Sequence, residues 1–262
     1  MDKRKIIINK IYNNSNEDSR LVESRQGQLE YFTTMTYIHK FLKPNMKILE
    51  IGAGTGRYSI TLAKEGYDVT AIEYVKHNLK VLKQNAKGLK NIKAYQGDAT
   101  NLTMLEDNSF DMVLVLGPMY HLYTKDDQEK AIDEAIRVAK TNAIIMFAYL
   151  PVASFIYDCY MNGNLKFGLE ENFDKDFNVR HYPEQKFTGF EIKTFEGMFK
   201  NKNVKKLHSL TTDSILDIIE KTNDFQMSDD DFELFKSYHL KNCEKLEMQG
   251  ISNHMLYICK KL

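Results

Sequence analysis

Residues 48–56 read Ile48-Leu49-Glu50-Ile51-Gly52-Ala53-Gly54-Thr55-Gly56, an apolar run with one acid, then three glycines on alternate positions. This pattern predicts a strand entering a glycine turn that opens a helix. Such a turn brings bare backbone against a ligand and aims helix-start N–H groups at it. A dinucleotide fingerprint, G-x-G-x-x-G, would place its last glycine at position 57. Arg57 stands there, and the third glycine comes one residue early. The strand acid Glu50 is also foreign to that fingerprint.

The rest of the chain narrows the function classes. With 262 residues and 43% hydrophobic content, the chain can bury a substantial core. Lys+Arg and Asp+Glu both number 36, so the basic surplus of a nucleic-acid binder is absent. Lys200, Lys202, Lys205 and Lys206 form the one candidate basic patch, and a solvated helix end and strand edge explain them more simply. Cys159, Cys243 and Cys259 are odd in number and widely spaced, which argues against a disulfide framework and suits a reducing compartment. The seven histidines show no helical ligand pair, so no metal is expected. The N-terminal apolar run is too short for a signal peptide, and no stretch reaches membrane-spanning length. A soluble cytoplasmic protein, monomeric or homodimeric, is expected.

Between residues 46 and 150, short β-rich runs alternate with helical patterns, the mark of a parallel sheet with crossover helices. Strands are predicted at 47–51, 68–73, 92–96, 111–116 and 143–150, and helices at 56–65, 76–86 and 125–140. In the last helix Ile132, Ala135, Ile136 and Ala139 form the apolar stripe, and Thr124 is its cap. Residues 21–42 read as an amphipathic helix that either packs beside the glycine turn or closes over it. Residues 151–190 are irregular but dense in aromatics, including Tyr157, Tyr160, Phe187 and Phe190, which argues for an ordered cap. Helices at 193–202, 213–222 and 229–248 and strands at 204–211 and from His254 onward complete the chain. Four regions are therefore expected: a helical lid (1–45), an α/β core (46–150), a substrate cap (151–190) and the remainder of the core with added helices (191–262).

Glu73 ends the second predicted strand seventeen residues after Gly56. At that spacing an acid can accept hydrogen bonds from both hydroxyls of a ribose. Tyr74 beside it could lie against a base. Gly97-Asp98-Ala99 closes the third strand, and Leu116-Gly117-Pro118 follows the fourth. Open α/β sheets bind ligands beyond the carboxyl ends of their strands, so these motifs converge on one crevice.

Together, E-x-G-x-G-x-G, Glu73, Asp98 and the fourth-strand loop resemble the class I S-adenosylmethionine-dependent methyltransferases over about residues 28–150. Leu116-Gly-Pro-Met-Tyr-His-Leu122 and the closing Gly250–Lys261 segment are similar to a bacterial small-molecule-type subgroup. The resemblance implies a doubly wound, mostly parallel seven-stranded sheet of Rossmann-like form, its last strand antiparallel. It implies that Glu50, Gly52, Ala53, Gly54 and Gly56 face the methionine moiety of S-adenosyl-L-methionine and its product S-adenosyl-L-homocysteine. It puts Glu73 on the ribose, Asp98 on the adenine amine with Tyr74 and Ala99 beside it, and Leu116 and Gly117 at the sulfonium. The fourth-strand loop lacks the Asn/Asp-Pro-Pro-Tyr/Phe pattern of many amino-group methylators of adenine, cytosine or glutamine.

Methyl transfer from a sulfonium needs mainly alignment, water exclusion and, for some acceptors, proton removal. His121 and Tyr120 are the expected catalytic pair, against a satisfied loop histidine as the plainer alternative. His239 and His254 read as packing or backbone-bonding residues. Arg20, Arg25 and Glu30 read as helix-surface charges unless that helix closes over the site. The expected function is methyl transfer to an O or N atom of a small molecule. An RNA or protein methyltransferase, a non-catalytic cofactor binder and an NAD-dependent dehydrogenase are the alternatives.

Overall fold

The computed structural model describes residues 3–12, 17–161, 163–182, 184–185 and 187–262, with the side chains of residues 5 and 155 left aside. The expected lid and cap therefore lie partly outside the described residues. The first half of the chain runs α1 (Lys3–Tyr12), α2 (Arg25–Phe41), β1 (Lys47–Ile51), α3 (Arg57–Lys64), β2 (Asp68–Glu73), α4 (Lys76–Asn85), β3 (Ile92–Gln96), β4 (Phe110–Val115), α5 (Lys125–Val138) and β5 (Ala139–Tyr149). The second half adds α6 (Val152–Phe155), α7 (Leu165–Asn172), α8 (Ile192–Gly197), β6 (Val204–Thr211), α9 (Leu216–Ile219), α10 (Asp229–Asn242), α11 (Leu246–Gln249) and β7 (Met255–Lys261).

The strands form one sheet in the order β3-β2-β1-β4-β5-β7-β6. Neighbours from β3 to β5 are parallel, and β7 runs antiparallel to both β5 and β6. Both faces of the central strands are covered, which is why they read as unbroken apolar runs. Leu49, Ile51, Val113, Val115, Ile145 and Phe147 pack on one side with Ala131, Ile132 and Ala135 of α5. Ile48, Met112, Leu114, Ile144 and Met146 pack on the other with α2 and α3. This period of two follows from the pleat. The order reverses between β1 and β4, and that switch point is where open α/β sheets present a crevice.

Several boundaries differ from the sequence expectation. α1 was not anticipated, because its apolar run is three residues long. α2 begins at Arg25 rather than 21, where Ser24 accepts the Gly27 N–H at 2.9 Å as an N-cap. β4 and β5 begin earlier than expected, at Phe110 and Ala139, through a register shift between Phe110 and Met112. Asn142 takes a φ of 67° in the same stretch of β5. The long helix expected at 229–248 is two helices that break after Asn242, and the helices expected at 193–202 and 213–222 shorten to α8 and α9. Within 151–190, α6, a π-helical turn at Ile156–Tyr160 and α7 supply the only helices among the described residues. Among the described residues no helix is long and apolar enough to cross a membrane.

Candidate functional site

Gly52 and Ala53 donate N–H bonds to the Ile72 carbonyl at 2.8 and 3.0 Å, folding the turn back over β2. Gly52, Gly54 and Gly56 take φ values of 76°, 55° and 93°, which L side chains rarely adopt. The three glycines do different work. A Cβ on Gly52 would lie 2.6 Å from Pro118 Cδ, so the turn presses on the loop after β4. On Gly54 it would meet only the Glu17 side chain, at 3.6 Å, leaving that backbone open to the crevice. Gly56 instead faces Leu82 of α4, 2.7 Å from such a Cβ, and does not line the crevice. Its expected contact with a ligand is thus corrected to a packing role.

Gly56 is also the N-cap of α3 and has no side chain to cap with. Glu50 fills that role from β1: its Oε2 accepts the Ser59 N–H at 2.9 Å and the Ser59 hydroxyl. Burial nevertheless pushes the Glu50 carboxyl up to about 8, against the lowering effect of Ser59. Glu73, at the end of β2, accepts N–H bonds from Gly54 and Val75, each at 2.7 Å. Burial raises it to about 7 despite those amides.

Asp98 accepts the Thr100 N–H and hydroxyl at 3.0 and 2.9 Å and pairs with Arg4 of α1. The Arg4 guanidinium lies 5.3 Å from the Tyr74 ring centre. The unanticipated helix therefore meets both Asp98 and Tyr74.

Glu50, Gly52, Ala53, Gly54, Glu73, Tyr74, Asp98, Ala99, Leu116, Gly117, Tyr120 and His121 all line one cleft with about 960 Å³ of empty space. Arg4, Ile8 and Tyr12 of α1, with Glu17, Arg20 and Leu21, form its outer wall. Arg57 also lines it and lies 5.1 Å from the Tyr31 ring centre. A second cavity, with about 1440 Å³ of empty space, adjoins the first. Tyr12, Glu17, Arg20 and Tyr120 line both. His121 lines only the first, and its Nε2 shares a 2.7 Å hydrogen bond with the Tyr12 hydroxyl. The Tyr120 hydroxyl donates to the Leu116 carbonyl at 3.2 Å, and burial raises its pKa.

The second cavity holds residues that the sequence did not mark. His254 Nδ1 lies 2.8 Å from Asp213 Oδ2. Asp213 is fixed in turn by Ser252 Oγ at 2.6 Å and by the Asn253 and His254 N–H groups, each at 3.1 Å. Burial works against the imidazolium, but Glu30 and Asp213 outweigh it and raise His254 to about 9. Arg20 makes a two-pronged pair with Glu30 at 2.7 and 3.1 Å, so neither is the helix-surface charge expected. Arg25, by contrast, pairs with Asp229 on α10, and it lines neither cavity. His239 is fully buried outside both cavities, and burial lowers it to about 4. Asp213 lies some forty residues from Ser252 and His254 and meets them only where the end of β6 lies beside the start of β7.

A family model described as a methyltransferase domain matches residues 42–180. A demethylmenaquinone methyltransferase of Staphylococcus aureus is 32% identical over 127 residues, 45% of this chain and 51% of that protein. An eEF1A lysine and N-terminal methyltransferase homolog of Drosophila pseudoobscura is 36% identical over 108 residues, 40% of this chain and 16% of that protein. The chain thus spans half or less of the length of these curated relatives. In fold it is similar to an S-adenosylmethionine-dependent methyltransferase from Thermotoga maritima, with a TM-score of 0.59, 16% identity and 99% of each chain covered. The matched residues run from before β1 through the glycine turn and the β4 loop to the wall of the second cavity, and the chain belongs to the methyltransferase domain family.

Proposed function

We propose that the chain is an S-adenosylmethionine-dependent methyltransferase whose acceptor is a small molecule methylated at oxygen or nitrogen. The carrying observation is the coupling of Glu73 to Gly54 in a cleft that adjoins a second cavity. The first cleft suits the cofactor. Gly54 offers open backbone, Glu73 keeps lone pairs for ribose hydroxyls, and Glu50 supplies a buried carboxyl that would give up its proton to face an ammonium. Asp98, Tyr74 and Ala99 would hold the adenine, and Leu116 and Gly117 would line the reacting end. The cofactor supplies an activated methyl on a sulfonium. The chain's own task is to align an acceptor in the second cavity and keep water out. Tyr120, on the boundary, would position that acceptor, and His121 would hold a proton beside Tyr12.

Calorimetry with S-adenosylmethionine and S-adenosylhomocysteine tests the reading. Binding in the micromolar range, abolished by Glu73→Ala with Asp98→Ala, is expected. Absent binding, or binding that ignores both substitutions, refutes it. Labelled methyl transfer from the donor into a metabolite extract separates an enzyme from a non-catalytic binder.

A polymer acceptor is the second reading, supported by the likeness to the fly eEF1A lysine and N-terminal methyltransferase homolog. Against it stand the neutral net charge and the pairing of Lys202 with Asp133 and Lys206 with Glu196, at 2.7 and 2.6 Å. RNA binding that weakens steeply with salt would favour it.

A further inference from the structure

Charge is distributed unevenly in a chain whose net charge is zero. Six carboxylates, Glu17, Glu30, Asp158, Glu171, Asp213 and Asp217, line the second cavity or bond directly to a charge that does. Among the described residues three cations, Arg20, Lys221 and His254, stand against them. Arg20 serves both Glu17 and Glu30, and Lys221 serves both Asp158 and Asp217. His254 is matched by Asp213. Glu171 has no cation within ion-pair distance among the described residues; its one polar partner there is the Tyr182 hydroxyl. An added anion would face this surplus directly, whereas an added cation would relieve it.

One wall of the cavity that Glu171 lines is aromatic. Tyr120, Tyr160 and Phe187 gather with Leu150 in one apolar cluster. Tyr120 and Phe187 stand edge to face, their ring centres 6.0 Å apart. Tyr160 is set by Gly168 of α7, where a Cβ would lie 2.2 Å from its ring. Aromatic rings and a carboxylate with no ion-pair partner among the described residues, lining one cavity, are the chemistry that holds an alkylammonium, the rings through their negative faces and the acid through its charge.

We propose that the second cavity takes a cationic amine, with Tyr120, Tyr160 and Phe187 walling its ammonium and Glu171 supplying the counter-charge. This rests on the methyltransferase reading and narrows its acceptor from oxygen or nitrogen to the nitrogen of an amine. The ammonium first gives one proton to solvent; the freed lone pair forms the N–C bond as the sulfonium S–C bond breaks and S-adenosylhomocysteine leaves, so the methylated nitrogen carries one positive charge and the same walls suit the product.

The test uses the full chain saturated with S-adenosylhomocysteine and three probes on one skeleton: 2-phenylethylammonium, 2-phenylethanol and 3-phenylpropionate. Calorimetry at neutral pH should rank the ammonium tightest, by about tenfold over the alcohol, with the carboxylate weakest. Glu171→Gln should erase most of that preference while S-adenosylhomocysteine binding stays as it was. The proposal is overturned if the alcohol or carboxylate binds as tightly as the ammonium, if no probe binds, or if Glu171→Gln leaves the ranking intact. Should the variant fail to fold, the ranking in the unaltered protein decides. Failure of S-adenosylhomocysteine itself to bind is a separate result that strikes the methyltransferase reading, and the probes then report on the cavity without it.

Discussion

The Glu73 carboxylate accepts the Gly54 N–H at 2.7 Å, tying the acid that ends β2 to the middle glycine of the turn after β1. Burial holds this acid up to about 7, so it ionises within the physiological range. Only the ionised form presents both oxygens as acceptors. S-Adenosylhomocysteine affinity should therefore rise between pH 6 and pH 8, by roughly threefold to tenfold. Glu73→Gln should weaken binding by about tenfold and flatten that rise. A variant that keeps the slope would show that another group carries it.

Glu50 has the opposite effects on stability and on binding. Its folded value, about 8, lies above the ordinary 4.5, so the native state holds a proton that the unfolded chain has lost. Stability must then fall as pH rises from about 4.5 to 8. Glu50→Gln should remove that fall and leave the protein at least as stable at pH 8, since the amide oxygen still accepts the Ser59 N–H. The same variant should lose cofactor affinity most at pH 8 and above, where the native carboxyl is ionised and balances an ammonium that an amide cannot. Melting curves against pH and calorimetry check the two halves separately.

Gly52 and Gly66 distinguish contact from backbone strain. Both have positive φ, 76° and 99°, but a Cβ on Gly66 meets nothing within 4 Å, and on Gly52 it strikes the Pro118 ring. Gly66→Ala should cost about 1–2 kcal/mol from conformation. Gly52→Ala should cost about 2–4 kcal/mol, because the β4 loop must also shift. Denaturant unfolding of both variants reads the difference, and equal losses would show that Pro118 yields freely.

Arg4 bonds Asp98 and lies over Tyr74, the two side chains proposed to receive the adenine. Cofactor entry would have to displace that guanidinium. Arg4→Ala should speed S-adenosylhomocysteine association by a few fold in stopped-flow binding. A slower association would mean that Arg4 helps to recruit the ligand.

His254 gives a pH signature on the alkaline side. Its folded value, about 9, exceeds the ordinary 6.5, so its contribution is complete below 6.5 and is lost as pH rises through 9. His254→Asn should leave the protein less stable at pH 6 and narrow that gap towards pH 9.5. A gap that does not change with pH would assign the loss to packing.

The order of strands and the first cleft were legible because both are written in short, contiguous patterns. β1, β2, β3 and β6 fall where the sequence predicts, since each short β-rich run is bounded by turn or loop residues. The glycine turn, Glu73 and Asp98 are local features whose spacing survives folding. What the sequence could not show depends on residues far apart in the chain. Gly56 looked like its two neighbours, and only the approach of Leu82 from α4 turns it into a packing residue. Arg20 and Glu30 read singly as surface charges, His254 as a strand-start histidine and Asp213 only as the start of a helix. They become a buried network because α2 and the ends of β6 and β7 meet there, in a low-dielectric site where charges must pair. The run from Ile48 to Gly56 with Glu73, Asp98 and the loop after β4 was thus enough to point to the first cleft, whereas the second cavity beside it exists only through tertiary contacts, because its walls come from segments that touch only once the chain has folded.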